Sequence, residues 1–183
     1  REGLFRSDIE PSRSAAIIIE PVQGEGGFYA APASFLEALR RLCDEHGILL
    51  IADEIQSGMG RTGAWWAIEH ADVEPDIVTT AKGIASGMPI GAFIARDSVW
   101  TWPPGAHGST YAGNPVCAAA GLATFDIIEG EAMANAAAMG ARLRAGLERV
   151  CASRPAVRDI RGTGLMIGVE FDSHGAAEAV QEE

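Results

Sequence analysis

Lysine is almost missing from this sequence: of 14 basic residues, Lys82 alone is a lysine. Positive charge is scarce altogether. With 25 acidic residues against those 14, the formal net charge is -11. That excludes the basic surface that binding to a phosphate backbone requires, and with it nucleic acid as a partner. Cysteine is sparse too. Cys43, Cys117 and Cys151 are odd in number, far apart and without metal-ligand spacing, which excludes a disulfide framework and a zinc site. Two of them sit in apolar helical patterns, as reduced core thiols of a cytoplasmic protein do. His46, His70, His107 and His174 also lack metal spacing, so no metal is expected. No apolar run reaches the roughly 20 residues of a membrane span, and no signal-peptide pattern opens the chain.

What is present is a globular composition, 48% hydrophobic over 183 residues with 22 glycines. It suffices for a sizeable core in one domain, or in one large domain and part of another. The chain opens on Arg1 and stops at Glu183 in a polar, helix-like stretch. Both ends read as cuts in a longer polypeptide.

The β-branched run Ala15-Ala16-Ile17-Ile18-Ile19 predicts a strand buried on both faces, ending in the glycine-rich loop from Glu20 to Gly27. Phe35, Leu36, Leu39, Leu42 and Cys43 share one face of a helix from about Pro32 to His46, with Gly47 where its C-terminal cap belongs. Further strands follow: Ile48 to Ala52, ending in Asp53-Glu54; Asp76 to Thr80, ending in Ala81-Lys82-Gly83; and Ile90 to Ala95. Asn114 and Pro115 open a helix to about Glu129, and an alanine-rich helix spans roughly Glu131 to Ser153. A strand near Val157 to Arg161, a Gly-Thr-Gly turn at 162–164 and a strand from Leu165 to Phe171 begin a smaller α+β unit. Short apolar strands alternating with helices predict an α/β domain with a largely parallel sheet.

In such sheets ligands bind just beyond the carboxyl ends of the strands. Glu20, Asp53 and Lys82 all fall there. A partly desolvated carboxylate at Asp53 needs a cation or hydrogen-bond donors, and backbone amides alone could supply them. Glu54, pointing the other way, reads as a member of a structural ion pair. Lys82 can become an imine-forming nucleophile if its pKa is lowered, although a lone lysine is more often solvated. Together the two match what pyridoxal phosphate requires, an amine for its aldehyde and a carboxylate to keep its ring nitrogen protonated. Trp65 and Trp66 could line an entrance or simply pack. Arg61, in a Gly-Arg-Thr-Gly turn, reads as structural.

Four motifs then carry a family resemblance. Ile19-Glu20-Pro21-Val22-Gln23-Gly24-Glu25-Gly26-Gly27, the run from Ala52-Asp53-Glu54-Ile55-Gln56 to Gly60-Arg61-Thr62-Gly63, Ala81-Lys82-Gly83, and Ser109-Thr110-Tyr111-Ala112-Gly113-Asn114-Pro115 resemble class III aminotransferases, most of all 4-aminobutyrate aminotransferases. The resemblance covers nearly the whole chain. It implies a type I pyridoxal-phosphate fold, with residues 1–125 the second half of the large domain and 126–183 the start of the small one. It implies Lys82 as the Schiff-base lysine, Asp53 as partner of the ring nitrogen, Ile55 against one ring face and Gln56 at the ring hydroxyl. Thr110 would bind the phosphate of the neighbouring subunit in a homodimer with shared active sites. Glu20 would lie near cofactor and substrate. Glu25 would pair with an arginine beyond residue 183 and open to admit a dicarboxylate. The phosphate loop would lie upstream of the chain.

The implied reaction is transamination of an omega-amino acid such as 4-aminobutyrate with a 2-oxo acid such as 2-oxoglutarate, in the cytoplasm. Acetylornithine or ornithine transamination, or an aminomutase, would use the same residues. Two rivals differ in kind: a catalytically silent fold unit, and a metal hydrolase built on acidic strand ends, which leaves Lys82 unexplained. Half of a large domain would also expose sheet and dimer surface, so the isolated chain is expected to be poorly soluble.

Overall fold

The structure, a computed structural model, describes residues 9–182. Its first part is a four-stranded sheet in the order β1 (Ala16–Ile19), β2 (Leu49–Asp53), β3 (Ile77–Thr80) and β4 (Ala92–Ala95), with helix α1 (Ala33–His46) between β1 and β2. α1 forms where the apolar stripe predicts it. Leu36, Leu39 and Cys43 are buried, and Gly47 ends the helix in the left-handed conformation at φ 66°, its N–H and that of Ile48 both donating to Cys43 O.

β1, β2 and β3 run parallel, with Ile18 beside Ile51 and Asp53 beside Thr79. β4 is antiparallel to β3. A parallel return needs a crossover of about a dozen residues or more, usually helical. Residues 81–91 hold just a short 3-10 turn, so the chain doubles back instead.

The expectation that β1 is buried on both faces fails. Both crossovers pack on one face: Leu36, Leu39 and Cys43 of α1, and Ile68, Ala71 and Val73 from the β2–β3 connection, close over Leu50 and Ala52. Ile18 points to the other face and is 61% exposed. At about 1.5–3 kcal/mol for each fully buried aliphatic side chain, this one-sided core outweighs any intrinsic preference in strands of four or five residues.

Asp76 ties the sheet to α1 and was not singled out in the sequence. Its Oδ2 accepts from Leu50 N–H at 2.7 Å and from Arg40 Nη1 at 2.8 Å, while Arg96 Nη1 lies 3.4 Å from Oδ1. Burial acts to raise this carboxyl. The Leu50 amide and the two guanidiniums outweigh it and hold Asp76 below the ordinary carboxylate range.

Helix α2 (Pro115–Ile127) starts as expected, with Asn114 Oδ1 accepting from Val116 N–H at 2.9 Å. The expected break near Gly130 is absent. A π turn at Ile128–Ala132 carries the chain in helical conformation into α3 (Met133–Cys151), Met133 N–H donating to Ile128 O. The extra residue in that turn rotates the apolar stripe without interrupting the helix.

Strands β5 (Val157–Thr163) and β6 (Met166–Phe171) then form an antiparallel hairpin, and α4 (His174–Glu182) follows. The hairpin docks by close backbone approach. A Cβ on Gly140 of α3 would lie 2.1 Å from Gly164 O, and Leu165 N–H donates to Arg61 O at 3.0 Å. Arg61 is thus structural through its carbonyl. Arg144 adds donors to Ile160 O and Gly162 O, both at 3.2 Å.

Candidate active site

Because β1, β2 and β3 are parallel, their carboxyl ends share one edge of the sheet. Glu20 follows β1 directly, Asp53 is the last residue of β2, and Lys82 stands two residues beyond β3. The register sets Asp53 beside Thr79, three positions before Lys82.

Asp53 Oδ1 accepts from Ile55 N–H and from the Thr79 hydroxyl, each at 3.1 Å. Oδ2 has no donor among the described residues, so one oxygen is fixed and the other remains open to an external N–H. Lys82 is exposed, its side chain makes no ion pair or hydrogen bond among the described residues, and it takes φ +44°. A left-handed lysine is an uncommon, strained conformation of the kind found at functional sites. The 3-10 turn Lys82–Ala85 holds it there through buried Ile84 and Ala85, which pack against Met59 and Ile128.

Glu25 and Gln56 are brought together, Gln56 Nε2 donating to Glu25 Oε1 at 3.0 Å. Glu20 Oε1 accepts from Gly24 N–H at 3.3 Å, which ties the start of the glycine-rich loop to its tip. Glu20, Gln23 and Asp53 line one open cleft of about 790 Å³ together with Tyr29 and Phe35. Ile55 is half-buried beside them. Thr110 lies in an exposed stretch before Asn114, and its side chain makes no hydrogen bond to these residues.

Several sequence readings change here. Glu54 makes no ion pair among the described residues: it is fully buried, accepting from the Ser57 hydroxyl at 2.5 Å and from Ile68 N–H at 2.8 Å. Burial pushes its carboxyl above the ordinary range, against the hydrogen bonds from Ser57, Ile68 and Ala67. Of the two readings open for Trp65 and Trp66, the structure supports packing. Trp65 meets Phe125 edge-on at 5.7 Å, and Trp66 leans on both apolar clusters. Thr79 escaped notice, because nothing local says which residue a neighbouring strand will place beside Asp53.

A mixed sheet with an acid and a lysine on adjacent strand ends fits the type I pyridoxal-phosphate architecture, and the comparisons with known proteins show it. The family profile described as aminotransferase class-III matches residues 5–183. A 5-aminovalerate aminotransferase of Pseudomonas aeruginosa is 45% identical over 99% of the chain and 44% of its own length. A 4-aminobutyrate aminotransferase of Escherichia coli is 47% identical over 94% of the chain and 41% of its own length. The ornithine aminotransferase of Toxoplasma gondii superposes with a TM-score of 0.85 at 38% identity, covering 91% of this chain and 40% of that one.

The chain therefore belongs to the class III aminotransferases, a family of pyridoxal-phosphate-dependent enzymes. It spans less than half the length of the relatives it matches. The residues present fit the cofactor: Asp53 offers a fixed carboxylate with an oxygen free for a protonated ring nitrogen, and Lys82 offers an amine with no acid partner among the described residues.

Proposed function

We propose that the full-length protein carrying this chain transaminates an omega-amino acid of the 4-aminobutyrate type, with a 2-oxo acid such as 2-oxoglutarate as acceptor. The observation that carries the reading is the juxtaposition of Asp53, held on one oxygen by Thr79 and Ile55, with an uncommitted Lys82 at the next strand end. Pyridoxal phosphate, when bound, supplies an electron sink for the carbon that loses its proton.

The chain's own residues do the rest. Asp53 keeps a proton at the ring nitrogen, and the Thr79 hydroxyl and Ile55 amide stop the carboxylate from turning away. With the cofactor bound, Lys82 Nζ would serve as the base and acid that moves the proton of the substrate carbon bearing nitrogen. Ile55 would pack against the ring, and Gln56, which donates to Glu25, would hydrogen-bond the ring hydroxyl. Glu20 and Glu25 border the substrate. Thr110 would bind the cofactor's phosphate in the neighbouring subunit of a homodimer. The division into residues 1–125 and 126–183 belongs to this proposal, as does a cytoplasmic location.

Acetylornithine transamination is the second reading. An acetylornithine aminotransferase of Bordetella pertussis is 47% identical over 90% of this chain, as near as the 4-aminobutyrate relative.

The test is borohydride reduction of the full-length protein loaded with pyridoxal phosphate, followed by peptide mapping and an amine-donor panel. A pyridoxyl mass on Lys82, absent from Lys82→Ala, is expected, with 4-aminobutyrate preferred over acetylornithine. Labelling elsewhere would sink the assignment of Lys82, and the reverse preference would favour the second reading.

A further inference from the structure

The glycine-rich loop is a closed unit. Val22 and Ala30 form an isolated antiparallel bridge, Gln23 N–H donates to Tyr29 O at 3.0 Å, and Ala31 N–H donates to Pro21 O at 2.9 Å. At its tip Gly27 N–H donates to Gly24 O at 3.1 Å, which makes Glu25 the second residue of a tight turn. Where Glu25 stands therefore depends on what holds the two ends of that turn. At one end the Gln56 side chain occupies the space that a Cβ on Gly24 would take.

The other end is held by Arg161, from the β5–β6 hairpin. Its Nε donates to Gly27 O at 2.7 Å, and its Cζ lies 3.7 Å from the centroid of the Tyr29 ring. Nη1 donates to Glu170 Oε2 at 2.6 Å and to Asp159 Oδ2 at 3.0 Å. The Tyr29 hydroxyl donates to the same Glu170 oxygen at 2.9 Å, and a Cβ on Gly168 would lie 3.1 Å from Gly27 O. The Arg161 side chain is 17% exposed. A guanidinium that forks to a carbonyl and two carboxylates while stacked on a ring is fixed in a way a lysine could not reproduce.

We propose that Arg161 is a positioning residue for recognition of the 2-oxo acid. Anchored by Asp159 and Glu170, it sets the turn that presents Glu25. It thereby couples the hairpin to the group that admits or rejects a substrate carboxylate. The inference rests on the reading of Glu25 given above.

The test is a double-mutant cycle in the full-length enzyme with 4-aminobutyrate and 2-oxoglutarate, using Arg161→Gln, Arg161→Lys, Glu25→Gln and the Arg161→Gln/Glu25→Gln pair. Loss of a charge-assisted hydrogen bond predicts that Arg161→Gln raises KM for 2-oxoglutarate about tenfold, with kcat and the absorbance of bound cofactor nearly unchanged. Arg161→Lys should fail to restore KM. In the Glu25→Gln background the same Arg161→Gln change should have less than about a twofold effect, because both act through one carboxylate. Should Arg161→Gln not fold, Tyr29→Leu, which removes the stack and the hydroxyl, replaces it in the same cycle. Multiplying effects, a fall in kcat with KM untouched, or full rescue by lysine would overturn the proposal alone. A wild-type enzyme that turns over neither substrate would overturn the functional reading and this proposal with it.

Discussion

Asp76 offers the sharpest test of how the sheet is held. Its side chain is 10% exposed and that of Arg40 15%, so their 2.8 Å contact is an ion pair largely out of water. Arg96 is 38% exposed and its 3.4 Å contact is screened enough to contribute little. Asp76→Ala leaves the Arg40 charge without this carboxylate and the Leu50 N–H without an acceptor. Arg40 keeps Asp44 at 2.8 Å, so the cost should fall toward the low end of the about 3–5 kcal/mol for breaking a buried pair on one side. Asp76→Asn keeps one acceptor for Leu50 but turns a neutral amide toward Arg40, for a cost of about 1.5–3 kcal/mol.

The pH dependence has a definite sign. A carboxyl held below its unfolded value stabilises the fold fully above that value and loses the contribution as pH falls through the folded pKa. The gap between wild type and Asp76→Asn should therefore be constant from neutral pH down to about 3.8 and narrow below it. Urea unfolding of the full-length protein, followed by circular dichroism across that range, measures it. An Asp76→Ala cost under about 1 kcal/mol, or a gap that does not narrow in acid, would refute the assignment of Asp76 as the tie between α1 and the sheet.

Glu54→Gln should be tolerated, since the amide can accept from Ile68 N–H and donate to Ser57 Oγ, whereas Glu54→Ala orphans both groups at about 1–3 kcal/mol each. Because the folded-state pKa of Glu54 is raised, wild type should lose stability as pH climbs above about 4.5 through that pKa, and Glu54→Gln should flatten that part of the profile in the same unfolding assay. Within α3 one substitution should act with opposite signs. Gly146→Ala meets nothing within 4 Å and should gain up to about 1 kcal/mol of helix propensity. Gly140→Ala drives a Cβ into Gly164 O and should cost about 1–3 kcal/mol, read as paired melting shifts. At the site, Asp53→Asn should lower kcat by about 10²–10³ with little change in melting temperature. Thr79→Val, which removes one of two donors to Asp53 Oδ1, should lower it about tenfold. Losses that multiply in the Asp53→Asn/Thr79→Val pair would show that the hydroxyl acts on something other than Asp53.

Much of the fold was legible along the chain because the signals are local. The α1 stripe, the Gly47 cap, the Asn114–Pro115 helix start and the placement of Glu20, Asp53 and Lys82 after apolar runs all depend on residues a few positions apart. The four motifs that mark the family are local strings of the same kind. What failed was less local. Ile18 was assigned to a face that no crossover covers, and Glu54 was given an ion where the fold supplies a hydroxyl and an amide.

By itself, then, the sequence determined the elements, their order and the chemical types at the strand ends, since periodicity, caps and turn residues act within a turn or two of chain. Tertiary structure alone decided the pairings. Register put Thr79 beside Asp53, the short connection turned β4 around, and the docked hairpin carried Arg161 across 134 positions to Gly27. Those contacts join residues distant in sequence, and packing geometry selects them.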